Sequence, residues 1–361
     1  MVEKGNSGMP WIGLDIGETV TKLVYFEPVE YTDSKNEMIQ SYLSYGIQDD
    51  SLQLNNIYVD GSQGNAKFTR FPTNQVSKLL SMAQKNKDSY AICATGGALS
   101  NTDREFICHQ SDELNALIKG VEFTIAANSD ECYYYDNPLD DDQHRKVVWQ
   151  WPRSGNGIQY PYILVNICSG VSVFAVDGQS SFERVCGSSI GGGFFQGLCC
   201  LLCNCATLEE AIELASEGDN RNVDKLVLDI YGEDYDAVGL SGDIVAASFG
   251  KICSMKERDS VRPEDLARSA LVTITNNIGS IAMNAADQYR TDRIVFVGSF
   301  LRANSIVARL LSNAMDFWSG GTKRALFLEH EGYFGAVGCL FNVPGVRENS
   351  CQVFARRSSK Q

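Results

Sequence analysis

The chain has 361 residues, and 44% of them are hydrophobic, which is enough for the cores of two domains of ordinary size. Its formal net charge is −14, so neither nucleic acid nor an anionic membrane is expected as the main partner. The N-terminus lacks the apolar core of a signal peptide, and no apolar run reaches the roughly 20 residues of a membrane span. We therefore expect a cytoplasmic protein without a membrane span, whose 12 cysteines are reduced.

Residues 11–28 contain two apolar, β-prone runs on either side of a polar turn, a pattern that predicts a β-hairpin. Asp15, Gly17, Thr19 and Lys22 lie in or beside this turn. Backbone N–H groups at such a turn can bind a phosphate, and the lysine adds positive charge. Asp15 ends the first strand, where its carboxylate could hold Mg²⁺ and its waters. The alternative is that the hairpin is a sheet edge without a ligand.

Weaker patterns follow before the next strong helix. Residues 29–50 are polar and acidic, and no structure is predicted for them. Alternating apolar residues predict a hairpin over 53–71 that turns at 60–62, and a short apolar run predicts a strand over 91–94 followed by Thr95-Gly96-Gly97. Helical spacing of apolar residues predicts helices over 74–84 and 111–121.

Glu113 lies near the start of the helix predicted over 111–121. One interpretation is structural, because the helix dipole favours an acid in the first turn. The other is catalytic, because a carboxylate on a rigid helix beside a phosphate-binding turn could take a proton from a hydroxyl nucleophile. The residues alone leave both interpretations open.

Residues 128–157 form the least regular part of the chain, and we place a lobe boundary before Tyr160. Asp140–Asp142 is interpreted as an exposed acidic loop, with a metal site as the alternative. Residues 162–176 then repeat the first pattern of strand, polar turn and strand, with Ser169, Gly170 and Ser172 in the turn. Two such units predict two similar lobes that hold one phosphate chain between their turns.

A glycine run at 191–193 precedes a helix predicted over 194–202, and the N–H groups of such a loop, including that of Gly192, can bind an anion. Arg184, just upstream, could bind phosphate or carboxylate through two hydrogen bonds, or could form a surface salt bridge. The following cysteines are spaced C-C-x-x-C-x-C with no histidine nearby, so small buried side chains are favoured over a zinc site.

The remaining patterns are regular. They predict a capped helix over 207–216, a helix over 225–231, tight packing of small residues at 246–250, a long helix over 263–287, a strand over 293–297 ending at Gly298, a helix over 305–317, a strand over 325–328 and a glycine-rich helix from 333.

Several stretches, among them DIGETVTKLVYFEP, DELNALIKG, VNICSGVS, RVCGSSIGGG, VFVGSFLR and LEHEGYFGAVG, resemble the eukaryotic (type II) pantothenate kinases, and the likeness covers roughly residues 11–343. The resemblance implies an α/β, two-lobe actin-like ATPase (ribonuclease H-like) fold and a homodimer. It also implies the phosphorylation of pantothenate to 4'-phosphopantothenate with ATP and Mg²⁺, the first step of coenzyme A biosynthesis. Acetyl-CoA or another acyl-CoA would act as a feedback inhibitor.

The resemblance also implies roles for single residues. Glu113 matches the catalytic base, and Arg184 matches the arginine that contacts the substrate and developing charge. The substrate or acetyl-CoA would contact Ser169, Ser172 and Arg184. Tyr231 and Tyr235 would form the aromatic wall of a channel for the pantetheine chain, and Trp318 would reach that channel from the dimer interface. ATP would contact Asp15, Gly17, Thr19, Lys22, Gly170, Gly192 and Gly298, with Asp15 also serving the metal.

With these roles, the predicted domains are an N-terminal lobe over 10–158, which carries the phosphate-binding hairpin and the acid helix, and a C-terminal lobe over 159–345. The second lobe would carry the second phosphate turn, the adenosine site and the dimer interface. Residues 346–361 are predicted to be a disordered tail, since they are polar and basic at the end.

Two positions depart from the family pattern. Glu18 and Cys168 stand where the family has glycine in its phosphate-facing turns. A non-glycine residue at positive φ costs about 1–2 kcal/mol, and a carboxylate aimed at ATP would repel it. The alternative is therefore a weakened or inactive member that binds acyl-CoA or partners an active kinase. A third possibility is a sugar or other small-molecule kinase on the same fold, against which the matches at DELNALIKG and LEHEGYFGAVG count.

Overall fold

The computed structural model describes residues 11–29, 46–59, 61–84, 91–96, 109–140, 142–154, 157–253, 258, 261–302 and 304–341. The predicted frayed start at residues 1–9, Asp60, Gly97, Asp141 and the predicted tail at 346–361 lie outside these ranges.

The described residues form strands and helices whose bounds lie close to most of the predicted ones. The first part of the chain contains β1 (Trp11–Ile16), β2 (Val20–Pro28), β3 (Ile47–Gln48), β4 (Leu54–Val59), β5 (Ser62–Pro72), α1 (Val76–Gln84), β6 (Ala91–Thr95), β7 (His109–Gln110), α2 (Glu113–Ala127), β8 (Cys132–Asp136), β9 (Arg145–Val148), β10 (Arg153–Ser154) and β11 (Gly157–Ile158).

The second part contains β12 (Tyr162–Ile167), β13 (Val171–Gly178), β14 (Ser181–Ser188), α3 (Gly192–Cys203), α4 (Leu208–Glu217), β15 (Lys225–Leu226), α5 (Val227–Tyr231), β16 (Val245–Ala247), α6 (Pro263–Gln288), β17 (Arg293–Val297), α7 (Ser305–Ser319), β18 (Arg324–Leu328) and α8 (Phe334–Cys339). None of the helices in the described ranges has both the length and the apolar character needed to cross a membrane.

The chain divides into two compact units. Unit 1 contains Met1–Cys132, Gln150–Gln159 and Leu328–Gln361, and unit 2 contains Tyr133–Trp149 and Tyr160–Phe327. The chain therefore passes between the units four times, whereas the sequence suggested a single passage before Tyr160. The lobe bounds over 10–158 and 159–345, and the roles assigned to each lobe, stay predictions.

The sheet of unit 1 has the central order β5-β2-β1-β6-β7. β1 and β2 are antiparallel, β2 and β5 are antiparallel, and β6 and β7 continue parallel to β1. Alternation places Ile12, Leu14 and Ile16 of β1 in one buried cluster, where they pack with Leu79 and Leu80 of α1.

The sheet of unit 2 repeats this arrangement in the order β14-β13-β12-β17-β18, and β8 and β9 extend its edge. β13 is antiparallel to both β12 and β14, while β17 and β18 run parallel to β12. The long helix α6 packs on this sheet and supplies Leu271, Ile274 and Ile278 to the main core cluster. Each unit thus has three antiparallel strands followed by two parallel ones, which is the two-lobe actin-like, ribonuclease H-like α/β fold that the sequence predicted.

Several strands were absent from the prediction, among them β8, β9, β14 and β15. β8 and β9 lie in the stretch described as least regular, and they pair antiparallel from Tyr133↔Val148 to Asp136↔Arg145. β14, which carries Arg184, pairs with β13 through two register shifts that break its alternation. The stretch predicted as one helix over 225–231 is the short strand β15 followed by α5.

Helices α2 and α8 of unit 1 approach until their backbones touch. A Cβ on Gly120 of α2 would lie 1.9 Å from the carbonyl oxygen of Phe334, and a Cβ on Gly338 of α8 would lie 1.8 Å from that of Ala116. Glycine is therefore required on both helices, although it is a poor helix former.

We expect Gly338→Ala to lower the free energy of unfolding by about 1–3 kcal/mol, because the added methyl group forces the two backbones apart. Urea unfolding followed by tryptophan fluorescence measures this change. Gly197→Ala is the matched control, since within the described residues no atom outside its own helix backbone and chain neighbours lies within 4 Å of the added Cβ on helix α3. The control is expected to be neutral or to stabilise by up to about 1 kcal/mol, and equal losses in the two variants would contradict the explanation.

Candidate functional site

The first predicted turn joins β1 to β2 and holds its polar residues close together. Asp15 and Lys22 are directly opposite in the two strands, with 4.0 Å between Asp15 Oδ2 and Lys22 Nζ. The turn is fastened to the chain after β5, where Thr73 Oγ1 donates to the Gly17 carbonyl at 2.8 Å and the Thr73 N–H donates to the Thr19 carbonyl at 2.9 Å. The acid and the lysine are thus held at the end of the sheet by an anchored turn.

Glycine is needed beside Asp15 on another element as well. A Cβ on Gly335 would lie 2.8 Å from Asp15 Oδ2, so the carboxylate packs against the backbone of α8.

The carboxylate of Asp15 is a suitable protein ligand for Mg²⁺. This ion usually keeps several waters and binds substrate phosphates besides one or two carboxylates. No group of three or more His, Cys, Asp or Glu residues able to hold a metal occurs within the described residues.

Glu113 is the first residue of α2 in unit 1, and Asp112 caps that helix by accepting the Asn115 N–H at 2.9 Å. The Glu113 side chain is exposed but partly desolvated, and this desolvation raises the pKa of its carboxyl above the usual value. The negative charges of Asp15 and then Asp112 raise the pKa further. An acid with a raised pKa can hold or release a proton nearer to neutral pH, which suits a general base.

The second predicted turn joins β12 to β13 in unit 2 and is built like the first. Asn166 and Ser172 are paired in the positions that Asp15 and Lys22 occupy in the first hairpin. The Cys168 N–H donates to the Gly170 carbonyl at 2.9 Å, which closes the turn. This hairpin therefore presents neutral polar groups where the first presents charges.

The glycines before α3 hold the second turn in place. The N–H groups of Gly192 and Gly193 donate to the carbonyls of Cys168 and Ser169 at 2.8 and 3.0 Å. A Cβ on Gly191 would also lie 2.8 Å from Gly170. These two N–H groups are already bonded, so the expected anion-binding role of Gly192 through its N–H has no support from this geometry and stays a prediction.

Ser172 and Arg184 line one cavity of about 440 Å³ in unit 2, together with Asn166, Cys168 and Gly170. The Arg184 guanidinium lies over Gly187, where a Cβ would come within 2.3 Å of Nη2. No carboxylate of the described residues forms an ion pair with Arg184, so the surface salt bridge left open by the sequence is not observed there. Ser169 is exposed in the turn and is not among the residues that line this cavity.

A larger cavity of about 1120 Å³, also in unit 2, brings together Tyr231, Tyr235 and Trp318. The two tyrosine rings are stacked, with centroids 4.3 Å apart and an interplanar angle of 13°. Trp318 Nε1 donates to the Asn276 carbonyl at 3.1 Å, which fixes its ring. Four polar residues of α6 that no local pattern in the sequence indicates also line this cavity: Thr273, Thr275, Asn276 and Asn277.

Glu18 and Cys168, the two departures from glycine, carry no backbone strain. Neither is among the residues of the described chain with positive φ. The Glu18 side chain is exposed, and Cys168 Sγ lies 3.4 Å from Asn166 Oδ1. The energetic objection based on positive φ therefore does not apply at either turn.

The remaining candidates are structural. Of the cysteines near α3, Cys199 is buried and Cys200 is exposed, so the expectation of small buried side chains holds only in part. Burial and the neighbouring thiols raise the pKa of Cys199 to about 12, so this sulfur stays protonated. Asp140 accepts the N–H groups of Asp142 and Gln143 at 3.0 Å each, as expected for an exposed acidic loop.

The strand order and the anchored turns define a protein of the actin-like ATPase fold class. More particularly, the chain belongs to the Fumble family, whose profile matches residues 11–342. The family resemblance predicted from the sequence is thereby confirmed.

The chain is similar in sequence to three curated proteins of known name. The chain is 37% identical to "Pantothenate kinase 1" of Arabidopsis thaliana, covering 91% of this chain and 84% of that protein. It is 33% identical to "Pantothenate kinase 2" of Arabidopsis thaliana, over 92% of this chain and 38% of that protein. It is also 34% identical to "4'-phosphopantetheine phosphatase" of Mus musculus, over 91% of this chain and 40% of that protein. The chain therefore spans about two fifths of the latter two proteins.

Solved structures with similar topology are distant. Glucokinase from Balamuthia mandrillaris in complex with glucose has 12% identity and a TM-score of 0.43, over 93% of this chain and 94% of that chain. A ROK family glucokinase from Streptomyces griseus has 11% identity and a TM-score of 0.43, over 92% of this chain and 99% of that chain. The strand order described above, rather than these likenesses, defines the fold class.

The raised pKa of Glu113 predicts how stability depends on pH. Because the folded-state pKa lies above the unfolded one, the stabilisation from the protonated carboxyl is complete below the unfolded pKa and is lost as pH rises through the folded pKa. Glu113→Gln is therefore expected to become more stable relative to the unaltered protein as pH rises through that range, as measured by urea unfolding.

Asp15→Asn is expected to lower the pKa of Glu113, because it removes a neighbouring negative charge. A carbon-13 NMR titration of the Glu113 carboxyl measures this shift. Asp50→Asn, which alters an exposed acid that does not contribute to the Glu113 shift, serves as the control. An unchanged Glu113 pKa in Asp15→Asn would refute the electrostatic explanation.

Proposed function

We propose that the chain is an ATP-dependent pantothenate kinase that forms 4'-phosphopantothenate, the first step of coenzyme A biosynthesis, in the cytoplasm. The observation that carries the proposal is the carboxyl of Glu113, which is fixed on a helix, has no hydrogen bond or ion pair within the described residues and has a raised pKa beside Asp15. The names of the relatives, two of which are pantothenate kinases, support the choice of substrate.

In the proposed mechanism Glu113 accepts the proton of the pantothenate hydroxyl as that oxygen attacks the γ-phosphorus of ATP. Arg184 stabilises charge on the transferred phosphoryl group through its guanidinium. Asp15 would hold Mg²⁺, which neutralises phosphate charge when it is bound. Catalysis then rests on positioning and electrostatics rather than on a covalent intermediate.

The remaining proposed contacts of ATP follow from the two turns. Lys22 supplies positive charge, and Gly17, Thr19 and Gly170 supply backbone close to the phosphates. Gly192 would act by holding the second turn, because its N–H is bonded to the Cys168 carbonyl. Gly298, at φ +120°, is proposed to lie near the adenosine.

We further propose that pantothenate contacts Ser169 and Ser172, and that an acyl-CoA inhibitor occupies the larger cavity. Its stacked tyrosines offer an apolar face for a pantetheine chain, and its volume of about 1120 Å³ exceeds the usual range for a drug-sized ligand. Trp318, whose side chain is 46% exposed, is proposed to reach this cavity from the interface of a homodimer.

A second candidate function is a catalytically weakened member that binds acyl-CoA or partners an active kinase. The carboxylate of Glu18 favours it, because an exposed negative charge in a phosphate turn would repel ATP. Separate calorimetric titrations with ATP and acetyl-CoA distinguish the two functions. Heat from acetyl-CoA without heat from ATP would support the second candidate and count against the kinase.

For the kinase, we expect Glu113→Gln to lower kcat by about 10²–10⁴-fold, because the amide cannot accept the proton. The release of ADP with ATP, Mg²⁺ and pantothenate measures the rate. Glu209→Gln is the matched control, since Glu209 is likewise an exposed acid in the first turn of a helix. Full activity in Glu113→Gln would remove Glu113 from the role of base.

For the cavity, we expect Tyr231→Ala to weaken acetyl-CoA binding on the order of tenfold, because one face of the tyrosine stack is lost. Tyr231→Phe keeps the ring and should bind within about twofold of the unaltered protein. Isothermal titration measures the affinities, and Tyr58→Ala on β4 of unit 1 is a control for loss of an exposed tyrosine. Equal affinities in Tyr231→Ala and Tyr58→Ala would place acetyl-CoA elsewhere.

A further inference from the structure

Asp224 of unit 2 is a fully buried carboxylate that accepts three hydrogen bonds, and the proposed mechanism does not use it. Asn220 Nδ2 donates to Oδ2 at 2.8 Å, and the backbone N–H of Phe249 donates to Oδ1 at 2.8 Å. Ser269 Oγ, on helix α6, donates to the same Oδ1. A buried charge is retained only where such bonds replace its water, so this arrangement has a structural purpose.

The backbone at Phe249 depends on the Asp224 carboxylate. Phe249 has φ +56°, in the left-handed region that an aromatic residue rarely adopts. The next residue, Gly250, leaves no room for a side chain, because a Cβ there would lie 2.7 Å from the Cβ of Lys225. The bond from the Phe249 N–H to Asp224 thus secures a strained, tightly packed turn.

Residues 220–252, which we call the wall segment, are tied together as one piece. β15 and β16 pair within it, and the N–H groups of Val227 and Leu228 donate to the carbonyls of Ile244 and Gly242 at 2.9 Å each. The Lys251 N–H donates to the Val223 carbonyl at 3.0 Å. Phe249 therefore belongs to a segment whose strands and ends are joined by backbone hydrogen bonds.

The wall segment forms one side of the larger cavity, and helices α6 and α7 form the other. Tyr231, Tyr235 and Ile244 line the cavity from the segment, while Asn276 and Trp318 line it from the helices. The bond between Ser269 and Asp224 joins the segment to α6, so it links the two sides of the cavity directly.

A second buried acid fastens only the start of the wall segment. Asp265 of α6 accepts the Asp219 N–H at 2.8 Å and Asn222 Nδ2 at 2.9 Å. Loss of the bond at Asp224 would therefore leave the segment held at its base by Asp265 and beyond it by the packing of Val245 and Phe249 against the main core cluster, and easier to open near residues 225–252.

We propose that Asp224 is a positioning residue: through Ser269 and the Phe249 backbone it sets the distance between the two sides of the larger cavity, without touching the ligand. The identity of that ligand, an acyl-CoA, rests on the proposed function, but the link between the wall segment and α6 does not. The role of Asp224 can therefore be tested without any ligand.

The first test is hydrogen–deuterium exchange of the intact protein. Ser269→Ala removes one donor to Asp224, and the opening equilibrium of residues 225–252 should rise about tenfold, which speeds exchange there but not in the middle of α6. Ser312→Ala is the matched control, because Ser312 is also buried on a helix and its side chain donates to the Ala308 carbonyl of its own helix, with no bond to another element in the described parts of the chain. Exchange in the wall segment equal to that of the control would overturn the proposal.

A second variant distinguishes loss of the link between Asp224 and Ser269 from a general loss of stability. Asp224→Asn keeps the shape but replaces one acceptor oxygen, and it should also speed exchange in the wall segment. Because both changes break the same link, the double variant should add little to the larger single effect. Additive effects, or equal acceleration throughout α6, would show general destabilisation and contradict the positioning role.

The ligand arm uses acetyl-CoA as the probe. We expect Ser269→Ala to raise the Kd of acetyl-CoA by about tenfold, because part of the binding free energy is then used to close the opened wall segment. The kcat with saturating pantothenate should stay within twofold of that of the unaltered protein. If the unaltered protein binds no acetyl-CoA, the proposed occupant of the cavity is wrong, and the exchange experiment still decides the role of Asp224. Unchanged acetyl-CoA affinity together with faster exchange would refute the proposal that Asp224 sets the distance between the two sides of the cavity.

Discussion

In each unit a glycine at the end of one strand packs against the end of the neighbouring parallel strand. Gly96 follows β6 and contacts the end of β1, and Gly298 follows β17 and contacts the end of β12. A Cβ on Gly96 would lie 2.4 Å from the Ile16 carbonyl oxygen, and a Cβ on Gly298 would lie 2.2 Å from that of Ile167. Both glycines have positive φ, +106° and +120°. Only glycine satisfies the contact and the dihedral together. Because Ile16 and Ile167 are the last strand residues before the two turns, this contact fixes where each turn leaves its sheet.

The duplicated frame carries different chemistry in its two copies. Asp15 faces Lys22 across the first hairpin, whereas the corresponding pair in the second hairpin is Asn166 and Ser172. Unit 1 therefore offers charge at its turn, and unit 2 offers neutral hydrogen-bonding groups. The strong positive charge of unit 2 comes instead from Arg184, on the third strand of the sheet and beside the turn in the same cavity. The two units thus share a strand order but differ in the residues at matched positions of their first hairpins.

Local patterns in the sequence predicted most of the frame, because hairpins and capped helices are encoded by neighbouring residues. The capping box of Thr207 and Glu210, for instance, is present as predicted. Features that depend on distant parts of the chain were missed. Strands β8 and β9 are ordered by joining the edge of a sheet formed much later in the chain, and the N–H of Gly192 is bonded to a turn more than 20 residues earlier. The carboxylate of Asp224 likewise acquires its role only from Phe249 and α6, which no local pattern indicates.

Two acids at the start of α2, Asp112 and Glu113, and a third on β1, Asp15, are distinguished by their partners. Asp112 accepts the helix N–H of Asn115, so its charge serves the cap. Asp15 faces Lys22, so its charge is partly balanced. Glu113 has neither kind of partner within the described residues, and desolvation, followed by the charges of Asp15 and Asp112, raises its pKa. One of these acids caps the helix and the other faces a lysine, and after desolvation their two negative charges raise the pKa of the third carboxyl. The raised pKa of Glu113 therefore follows first from its partial desolvation and then from two acids that have other partners of their own.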